Sequence, residues 1–346
     1  MKTPFLRVNE ADDKAMALLE VIHNPTVIAR RRHYVVSPEA FRDIPGSPFA
    51  YWTSDGFRSL FRDLDPFDGN GRTAKVGLQT SDDFRFVRTS YEISSLDQVW
   101  RPFTKGGYFA RFYADTHFVA NWCNSGYELY AFANLPFGSS GAPIRNPRYY
   151  LQPGLSWPHR GSVFSAQVVG SNHLFGISGK MAFAPIDALL YYCAIFNSSI
   201  VNSFLQLFSG ETRRRHEVGL IQSIPIPKSS TSEDDLVSRL AYKGWSRRRS
   251  LDTITETSHA FHLPALLQVA GTDLATRFTA STTPTAPPSP PASAWPPVTT
   301  RAAGSTRTTP TTRWPRRPAP TRRPSPPTSC RGRSAWPSGA RRSARR

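Results

Sequence analysis

Two short segments of the sequence combine hydrogen-bonding or cationic side chains with glycine and aromatic residues, a combination that core packing alone does not require, and a third segment is similar but has no glycine. The first segment covers residues 76–88, and its glycine-containing turn places Gln79 and Thr80 before a strand-like run that carries Arg85. Short polar side chains on a turn can hydrogen-bond to phosphates or to the edges of bases. The segment therefore predicts base-edge contacts by Gln79 and Thr80, although a solvated hairpin would have the same residue types.

The second segment covers residues 100–113 and contains Lys105, Gly106, Gly107 and Arg111. Because glycine has no Cβ, Gly106 and Gly107 are predicted to let the backbone approach a ligand closely. Lys105 and Arg111 are predicted to neutralise phosphates. Nearby aromatic side chains offer flat faces on which bases could stack, namely Tyr108, Phe109 and Tyr113. The alternative interpretation is a bulged hairpin whose aromatic side chains fill the core.

The third segment covers residues 144–150. An arginine can bind guanine through two hydrogen bonds and an asparagine can bind adenine in the same way, so Arg145 and Asn146 are predicted to contact base edges. Arg148 is predicted to contact a phosphate. Each of these side chains could equally make structural hydrogen bonds. Tyr149 and Tyr150 are predicted to lie on opposite faces of a strand, with at least one of them buried.

Motifs for catalysis are missing from the same sequence. Methylation of adenine at N6 needs a flipped base, which an Asn/Asp-Pro-Pro-Tyr/Phe loop holds. The run Asn134-Leu135-Pro136-Phe137 lacks the first proline of that loop, and no Gly-x-Gly motif follows a strand. The histidines are scattered without the spacing of metal ligands. We therefore expect no catalytic residue, no cofactor site and no metal site in this chain.

The net charge of +18 is unevenly distributed along the 346 residues. Residues 281–346 hold 13 Arg and 15 Pro but no Lys, Asp, Glu, Leu, Ile, Phe, Tyr or Met, whereas the first 280 residues hold 30 Lys+Arg against 25 Asp+Glu. A segment of this composition cannot bury enough apolar surface to fold, so disorder is predicted. Arginine without lysine is typical of GC-rich codons and indicates an out-of-frame reading from about residue 281; the alternative is a basic nucleic-acid-binding arm.

Composition also excludes several classes of protein. Three widely separated cysteines without a Cys-x-x-Cys pair disfavour a zinc ribbon, and so sparse a set suits a reducing cytoplasm. The first 14 residues contain Glu10, Asp12 and Asp13 and do not have the apolar core of a signal peptide. The most apolar stretch, 181–208, is interrupted by polar residues, which predicts a buried helix rather than a membrane span.

The three segments must be positioned by surrounding helices and strands. A helical pattern runs from Phe49 to about Leu64, and a longer one from Leu189 to Phe208, with Asp187 as its predicted cap. Between these patterns lie short runs typical of strands, at 84–93, 118–122, 129–132, 163–169 and 174–177. Residues 224–227 are expected to be extended because of their prolines, and 232–275 contain two further helical patterns. These elements predict an α+β fold with a mixed β-sheet, flanking helices and a disordered tail.

The order and spacing of motifs over about residues 40–265 resemble one known family. The run from Ile44 to Trp52 is similar to "IPGSPIAYW", Leu190 to Leu207 to an apolar helix containing Asn-Ser, and Glu256-Thr257-Ser258 with Phe261 to "ETSxDF". The motifs around Gln79, Lys105 and Tyr149 lie between them in the same order. These features resemble the C-terminal half of the large adenine-specific DNA methyltransferases of BREX (phage growth limitation) defence systems, which are related to type IIG restriction-methylation enzymes. Ser81, Asp83, Phe112 and His259-Ala260 depart from the family pattern.

The resemblance implies a function and a domain organisation. Residues 46–228 would form a target-recognition domain on double-stranded DNA, 1–45 a connector from a catalytic domain missing from this chain, 229–280 a helical flank, and 281–346 the tail. In the intact enzyme, S-adenosylmethionine would supply the methyl group. The chain would then be a truncated, cytoplasmic fragment, inactive alone, that pairs with a methyltransferase catalytic domain or with other defence-system subunits. The alternatives are a stand-alone DNA-binding or assembly subunit that works with a separate methylase, and a gene fragment without function.

Overall fold

The structure, a computed structural model, describes residues 2–23, 33–93, 99–209, 215–228 and 230–282. Within these ranges the fold is α+β, with mixed and antiparallel sheets, as the sequence predicted. The strands are β1 (Thr3–Leu6), β2 (His33–Val36), β3 (Thr73–Lys75), β4 (Val87–Thr89), β5 (Trp100–Thr104), β6 (Phe118–Asn121), β7 (Gly154–Ser156), β8 (Gln167–Val169), β9 (Leu174–Phe175) and β10 (Met181–Phe183). The α-helices are α1 (Lys14–His23), α2 (Asp55–Asp63), α3 (Asp83–Phe86), α4 (Cys123–Phe132), α5 (Leu189–Phe196), α6 (Ser199–Ser209), α7 (Val218–Gln222), α8 (Thr231–Asp252), α9 (Ala265–Gln268) and α10 (Leu274–Thr282).

Two four-stranded sheets form the centre of the molecule. The first has the order β3-β10-β7-β8 and is antiparallel throughout. The second has the order β4-β6-β5-β9, in which β9 runs parallel to β5 and the other pairs are antiparallel. Strands β8, β9 and β10 follow one another along the chain but alternate between the sheets. The chain therefore crosses between the two sheets more than once in a few residues.

The two sheets pack on two large hydrophobic cores, and the core next to the second sheet also receives Met181 and Phe183 from β10 of the first sheet. The core of the first sheet is shared with α5, α6 and α8, and Trp157 and Phe196 are fully buried in it. The core of the second sheet surrounds the fully buried Phe86, Phe103 and Phe175. Burying a side chain of this size stabilises a fold by about 1.5–3 kcal/mol. Five of the nine aromatic residues in the strand-like runs lie in these cores, and the other four, Phe84, Tyr91, Phe118 and Phe132, are exposed.

Helix α2 begins later than the sequence pattern predicts. The pattern starts at Phe49, but the helix starts at Asp55, because the Ser54 side chain accepts a hydrogen bond from the backbone N–H of Phe57 and caps the helix there. The helix ends at Asp63, close to the predicted end. The capping residue, rather than the first apolar residue, sets the boundary.

Two runs predicted as strands are partly or wholly helical. Residues 129–132 lie in α4, with Leu129 and Tyr130 buried on one face. Residues 84–93 contain α3, the short strand β4 and a 3-10 turn, because the side chain of Asp82 accepts from the N–H of Arg85 and starts a helical turn. Arg85 consequently lies on α3 and not on a strand. Short apolar runs fit both periodicities, so their sequence alone does not separate a helix from a strand.

The predicted long helix is divided at Asn197 into α5 and α6. The Asn197 side chain hydrogen-bonds to the N–H and the carbonyl of Ala166, at 3.0 and 2.9 Å, and Asn202 accepts from the N–H of Phe164 at 2.7 Å. These amide groups hold 164–166 where a neighbouring strand otherwise would, so only β8 remains of the strand predicted at 163–169. Asp187 does not cap the helix, because it lies in a 3-10 turn before the N-cap residue Ala188.

Four further expectations concern residues 224–227, the helical flank, the C-terminal tail and membrane-spanning helices. Residues 224–227 belong to no helix; Pro225 forms an isolated antiparallel bridge with Pro66, and Ile226 donates from its backbone N–H to the carbonyl of Asp65. The two helical patterns predicted within 232–275 correspond to α8 and α9, and a third helix, α10, begins at Leu274. The predicted disordered tail lies outside the described residues from position 283 onward. Among the described helices, none alone has the length and apolar character of a membrane span, whereas the bent pair Ile186–Phe196 and Ser199–Phe208 meets both criteria when taken together.

Candidate nucleic-acid interface

Several predicted contact residues line one surface cleft of about 280 Å³. Gln79, Thr80 and Lys105 face this cleft together with Asp83 and Ser178. Its walls come from the turn after β3, from α3, from the end of β5 and from the loop after β9. The structure thus brings together residues that are separated by about a hundred positions in the sequence.

The turn that carries Gln79 is fixed by backbone hydrogen bonds. The N–H of Leu78 donates to the carbonyl of Phe175 at 2.8 Å, its carbonyl accepts from Ile177 at 3.1 Å, and the N–H of Gln79 donates to Pro143 at 2.7 Å. A Cβ atom at Gly77 would lie only 1.9 Å from the carbonyl oxygen of Phe175, so glycine is required for this approach. Gln79 itself is exposed, and its side chain faces the cleft from a rigid backbone.

Thr80 and Lys105 both bind the same carboxylate. The Thr80 hydroxyl donates to Asp83, and the Lys105 ammonium forms an ion pair with the other Asp83 oxygen. Burial raises the pKa of Asp83, but the hydrogen bonds from Lys105 and Thr80 outweigh it, and the pKa lies below its ordinary value. Asp83 is therefore charged at neutral pH. Thr80 is buried, whereas Lys105 is partly exposed and must exchange Asp83 for any phosphate that it binds.

A second group of predicted residues lies on the loop at 141–150, next to this turn. Asn146 has a left-handed backbone conformation, and its side-chain amide donates to the carbonyl of Val76 at 2.9 Å, which joins the two loops. Arg145 is exposed and donates from Nε to Ala142, while the exposed Arg148 lies over the ring of Tyr149 at 4.9 Å. Both arginines therefore present charge to solvent, and Asn146 makes a structural hydrogen bond.

The two tyrosines of this loop differ from expectation. They belong to a 3-10 turn, Pro147–Tyr149, and its C-terminal residue, rather than to a strand. Proline at the first position of the turn sets the local φ and favours this conformation over an extended one. Tyr150 is buried, as predicted for at least one of the pair, and burial raises its pKa above the ordinary value.

The two glycines of the loop after β5, Gly106 and Gly107, lie in different surroundings. Gly106 has a φ of +85°, and a Cβ atom there would lie 2.8 Å from the carbonyl oxygen of Ser178, so the close approach at this glycine is to the protein itself. Gly107 is exposed and has open space around its Cα. Arg111 is exposed outside the 280 Å³ cleft, and its guanidinium lies 5.6 Å from the ring of Phe109.

Only two of the three aromatic side chains predicted to stack are accessible. Tyr108 and Phe109 are 57% and 50% exposed. Tyr113 is buried, and burial raises its pKa above the ordinary value. Its ring lies 6.2 Å from that of Trp245 in α8, so it belongs to the core that joins the helical flank to the sheets.

Sequence reasoning missed the pairing of Lys105 with Asp83 and the contribution of Ser178. Asp83 lies in the first of the three sequence segments, but its partner Lys105 lies 22 residues further along the chain. Only the fold brings the two side chains together. Arg85 is also paired, with Glu128 at 2.6 Å. Within the described residues, no group of three or more His, Cys, Asp or Glu side chains is arranged to hold a metal ion.

A larger cleft, of about 730 Å³, lies elsewhere. It is bordered by Arg7, Trp52, Asn202 and His216 and contains none of the predicted contact residues. Asn202 already binds the backbone of Phe164, and the Arg7 guanidinium lies over the Trp52 ring at 4.6 Å. Size alone therefore does not make this cleft the better candidate, since its principal polar groups hold the fold together.

Comparison with known proteins gives two relatives in sequence. The chain is 26% identical over 235 residues to "Adenine-specific methyltransferase PglX" of Lacticaseibacillus casei (strain Zhang), and the match covers 64% of this chain and 19% of the relative. It is 28% identical over 207 residues to "Adenine-specific methyltransferase BrxX" of Escherichia coli O9:H4 (strain HS), covering 56% of this chain and 16% of the relative. The chain thus spans less than a fifth of the length of either protein. No family model matches the chain.

One solved structure shows a weaker likeness. It is the type IIL restriction-modification enzyme MmeI in complex with DNA, with 15% identity and a TM-score of 0.36 over 62% of this chain and 35% of that one. The sequence matches are the stronger finding, and they agree with the resemblance drawn from the motifs. The chain is a distant homologue of the adenine-specific methyltransferases PglX and BrxX.

Proposed function

We propose that this chain is the DNA target-recognition portion of a site-specific adenine-N6 DNA methyltransferase of the phage-defence or restriction-modification type. The observation that carries the proposal is the cleft beside Gln79, where an exposed amide, a lysine and a neighbouring loop with two exposed arginines lie on adjoining segments. Homology to two adenine-specific methyltransferases supports the reaction type. Double-stranded DNA in the cytoplasm is the proposed partner.

The residues divide into two roles. Lys105, Arg111 and Arg148 would contact phosphates, which fixes the position of the protein on the duplex without reading sequence. Gln79 and Arg145 would contact base edges, the amide on adenine and the guanidinium on guanine. In our proposal, Thr80 and Asn146 mainly hold the site in place. The Thr80 hydroxyl already binds Asp83, and the Asn146 side-chain amide already binds the backbone carbonyl of Val76. Gly107 provides open backbone for a strand of DNA to pass, and Gly106 allows the loop to turn.

Methyl transfer itself would occur elsewhere in the intact enzyme. We propose that a catalytic domain, in the same polypeptide or bound to it with other defence-system subunits, holds S-adenosylmethionine and the flipped adenine. The residues of this chain would bind and orient the duplex and take no part in the chemical step. Because the chain matches less than a fifth of each relative, this division of labour is consistent with its length.

The test compares two substitutions in salt titrations of duplex binding. Lys105→Ala should weaken binding to all sequences alike and reduce the salt slope by about 1, since one phosphate contact is lost. Arg145→Ala should reduce the preference between the selected and other sequences by about 1–3 kcal/mol, the usual value of a bidentate contact to guanine. The exposed Arg62 on α2 offers a control, because Arg62→Ala removes the same charge away from the cleft.

The duplexes for this test come from a random pool enriched by binding to the wild-type chain. Measurements on the full chain and on a chain ending at Thr282 separate the cleft from the arginine-rich tail. If the shorter chain binds no duplex even at low salt, recognition by this cleft in isolation is wrong. If Lys105→Ala and Arg62→Ala have equal effects, the cleft is not the phosphate-binding surface.

A further inference from the structure

The loop between β5 and β6 has a short exposed tip, formed by Gly107, Tyr108 and Phe109. Tyr108 is 57% exposed and Phe109 is 50% exposed, whereas the aromatic side chains of Phe103 and Tyr113 on either side of them in the sequence are buried. Ala110, the next residue, is buried. Two adjacent aromatic rings therefore leave the fold at the tip, and the chain returns to the core one residue later.

The tip is anchored on both sides. Before it, Lys105 is paired with Asp83, and Gly106 turns against the carbonyl of Ser178. After it, the N–H of Ala110 donates to the hydroxyl of Ser165 at 3.1 Å, and the carbonyl of Ala110 accepts from the side-chain amide of Gln167 at 2.6 Å. Ser165 and Gln167 are both buried, so these anchors belong to the rigid part of the fold.

Among the described residues, no ion pair balances the cation that accompanies the two rings. Arg111 is exposed and lies over the ring of Phe109 at 5.6 Å. Residues 105–111 contain no acidic residue, and Asp115 further along already binds Ser258 and His259. A rigid loop that presents apolar rings next to a positive charge is suited to an anionic, stacked polymer, because the rings can stack between bases while the cation binds a phosphate.

We propose that the Tyr108–Phe109 tip is a wedge that inserts between two base pairs of duplex DNA and unstacks them, with Arg111 on the adjacent phosphate. This proposal rests on the proposed function, and it assigns the tip a role in deforming DNA that is separate from base reading in the cleft. A wedge favours base steps that unstack easily, such as pyrimidine–purine steps. The tip would therefore contribute sequence preference without any hydrogen bond to a base.

The first experiment measures contact. The full chain is prepared with p-benzoylphenylalanine in place of Phe109, of Gln79 or of Phe49, and each is irradiated with a labelled random-sequence duplex. Phe49 is the matched control, since it is 73% exposed and its ring packs on Phe41 in the N-terminal region. We expect at least about tenfold more crosslinked DNA from position 109 than from position 49, because a wedge is surrounded by bases.

The second experiment measures unstacking. Permanganate oxidises thymines that are unstacked, and sequencing maps the oxidised positions in the bound pool. The wild-type chain should expose thymines at one position relative to its crosslink, and the double variant Tyr108→Ser with Phe109→Ser should lose this reactivity. Both side chains are half exposed, so the double variant should keep the wild-type melting temperature, which a thermal scan confirms.

The outcomes separate the wedge from the broader function. Crosslinking at position 79 but only control levels at position 109 would disprove the wedge and leave DNA recognition standing. Crosslinking at 109 without thymine reactivity would show contact and rule out unstacking, which also overturns the wedge. Control levels at both 79 and 109 would reject the recognition function and the wedge together, and would favour a protein surface as the partner of the tip.

Discussion

At the scale of single residues, the charge of Lys105 is already balanced within the chain. Asp83 binds Lys105 and Thr80, and these hydrogen bonds hold the pKa of Asp83 below its ordinary value despite burial. A phosphate must therefore displace a carboxylate to reach the lysine. If the cleft binds DNA as proposed, this competition keeps sequence-independent affinity low, which helps a protein discriminate between sites, because specificity is a difference between affinities.

Replacing Asp83 with asparagine should strengthen DNA binding. Asp83→Asn removes the carboxylate that competes with phosphate for Lys105, so we expect several-fold tighter binding to all duplexes at each salt concentration. Fluorescence anisotropy across a salt series measures the affinity. Asp187→Asn removes the same charge from an exposed turn before α5 and serves as the control. If Asp83→Asn tightens binding by the same factor when Lys105 is alanine, the released lysine is not the cause.

His216 is a buried histidine that the fold keeps neutral. Burial lowers its pKa, and the nearby charge of Lys180 lowers it further, against the opposing effect of the hydrogen bond to Pro158. The Nδ1 atom lies 3.0 Å from the carbonyl oxygen of Pro158, so it donates the proton of the neutral ring. Since the unfolded state titrates near pH 6.5, it binds more protons than the folded state below that pH. The stability contributed by His216 is complete above about pH 6.5 and is lost as the pH falls toward its folded pKa.

The melting temperature should consequently decrease between about pH 7 and about pH 5. His216→Gln keeps a donor for Pro158 but cannot take up a proton, so its melting temperature should decrease less over the same range. His262→Gln changes an exposed histidine and should follow the wild type. Parallel curves for the wild type and His216→Gln would show that His216 does not contribute to the acid sensitivity. Burial also lowers the pKa of His159, so part of the dependence should remain in the variant.

At the scale of elements, the sequence predicts features that depend on neighbouring residues, such as strands and turns. It does not predict features that depend on contacts with distant segments. The strands around 118–122 and 174–177 and the α+β class follow from alternation and turn residues, and these expectations are confirmed. The strand predicted at 129–132 is wrong, because a run of four residues fits a helical face equally well. The site residues were chosen by chemical type. Their exposure and their internal partners, such as Asp83 for Lys105, depend on contacts between distant segments.

The break between α5 and α6 shows the same limitation. Apolar spacing predicts one helix through 189–208, but Asn197 turns its amide toward Ala166 and ends the helix. A buried backbone N–H and carbonyl on 164–166 are thereby satisfied by a side chain. No periodicity in the sequence encodes this contact, because the segments are about thirty residues apart.

Asn197→Ala should destabilise the fold by about 1–3 kcal/mol, because it leaves the buried N–H of Ala166 without its partner, whereas the Ala166 carbonyl still accepts from the N–H of Phe112. Asn197→Asp should be at least as harmful, since a carboxylate cannot donate to the carbonyls of Ala166 and Cys193. Urea denaturation measures the free energy of unfolding for each variant. Ser203→Ala, on the exposed face of α6, is the control and should change it by less than about 0.5 kcal/mol. Equal effects at 197 and 203 would contradict the role of this asparagine.

At the scale of the whole molecule, positive charge is concentrated in the C-terminal tail, 281–346, which is not expected to fold. The first 280 residues are nearly balanced, with 30 cationic and 25 acidic side chains, and the last 66 carry 13 arginines. The basic isoelectric point therefore says little about the two sheets. Affinity for DNA measured on the full chain is expected to combine a tail contribution and a cleft contribution with different salt dependence.

Deleting residues 283–346 should leave the melting temperature unchanged. This segment contains no Leu, Ile, Phe, Tyr or Met, so it can contribute little apolar burial to folding. The shorter chain should bind DNA more weakly at low salt but with a shallower salt slope, because fewer counterions are released. Calorimetry and a salt titration measure these two quantities. A decrease of several degrees in the melting temperature would show that the tail packs on the folded part.

The backbone at position 79 is held by main-chain atoms of other segments, while its side chain faces solvent. Folding therefore places no demand on the identity of this residue, apart from an N–H that proline lacks. If Gln79 reads a base as proposed, a single codon change here alters the preferred DNA sequence while the free energy of unfolding stays within about 0.5 kcal/mol. Under the proposed function, recognition then diversifies at this position without loss of the fold. A saturation library at Gln79, scored for both melting temperature and sequence preference, should show the second varying widely and the first falling only for proline.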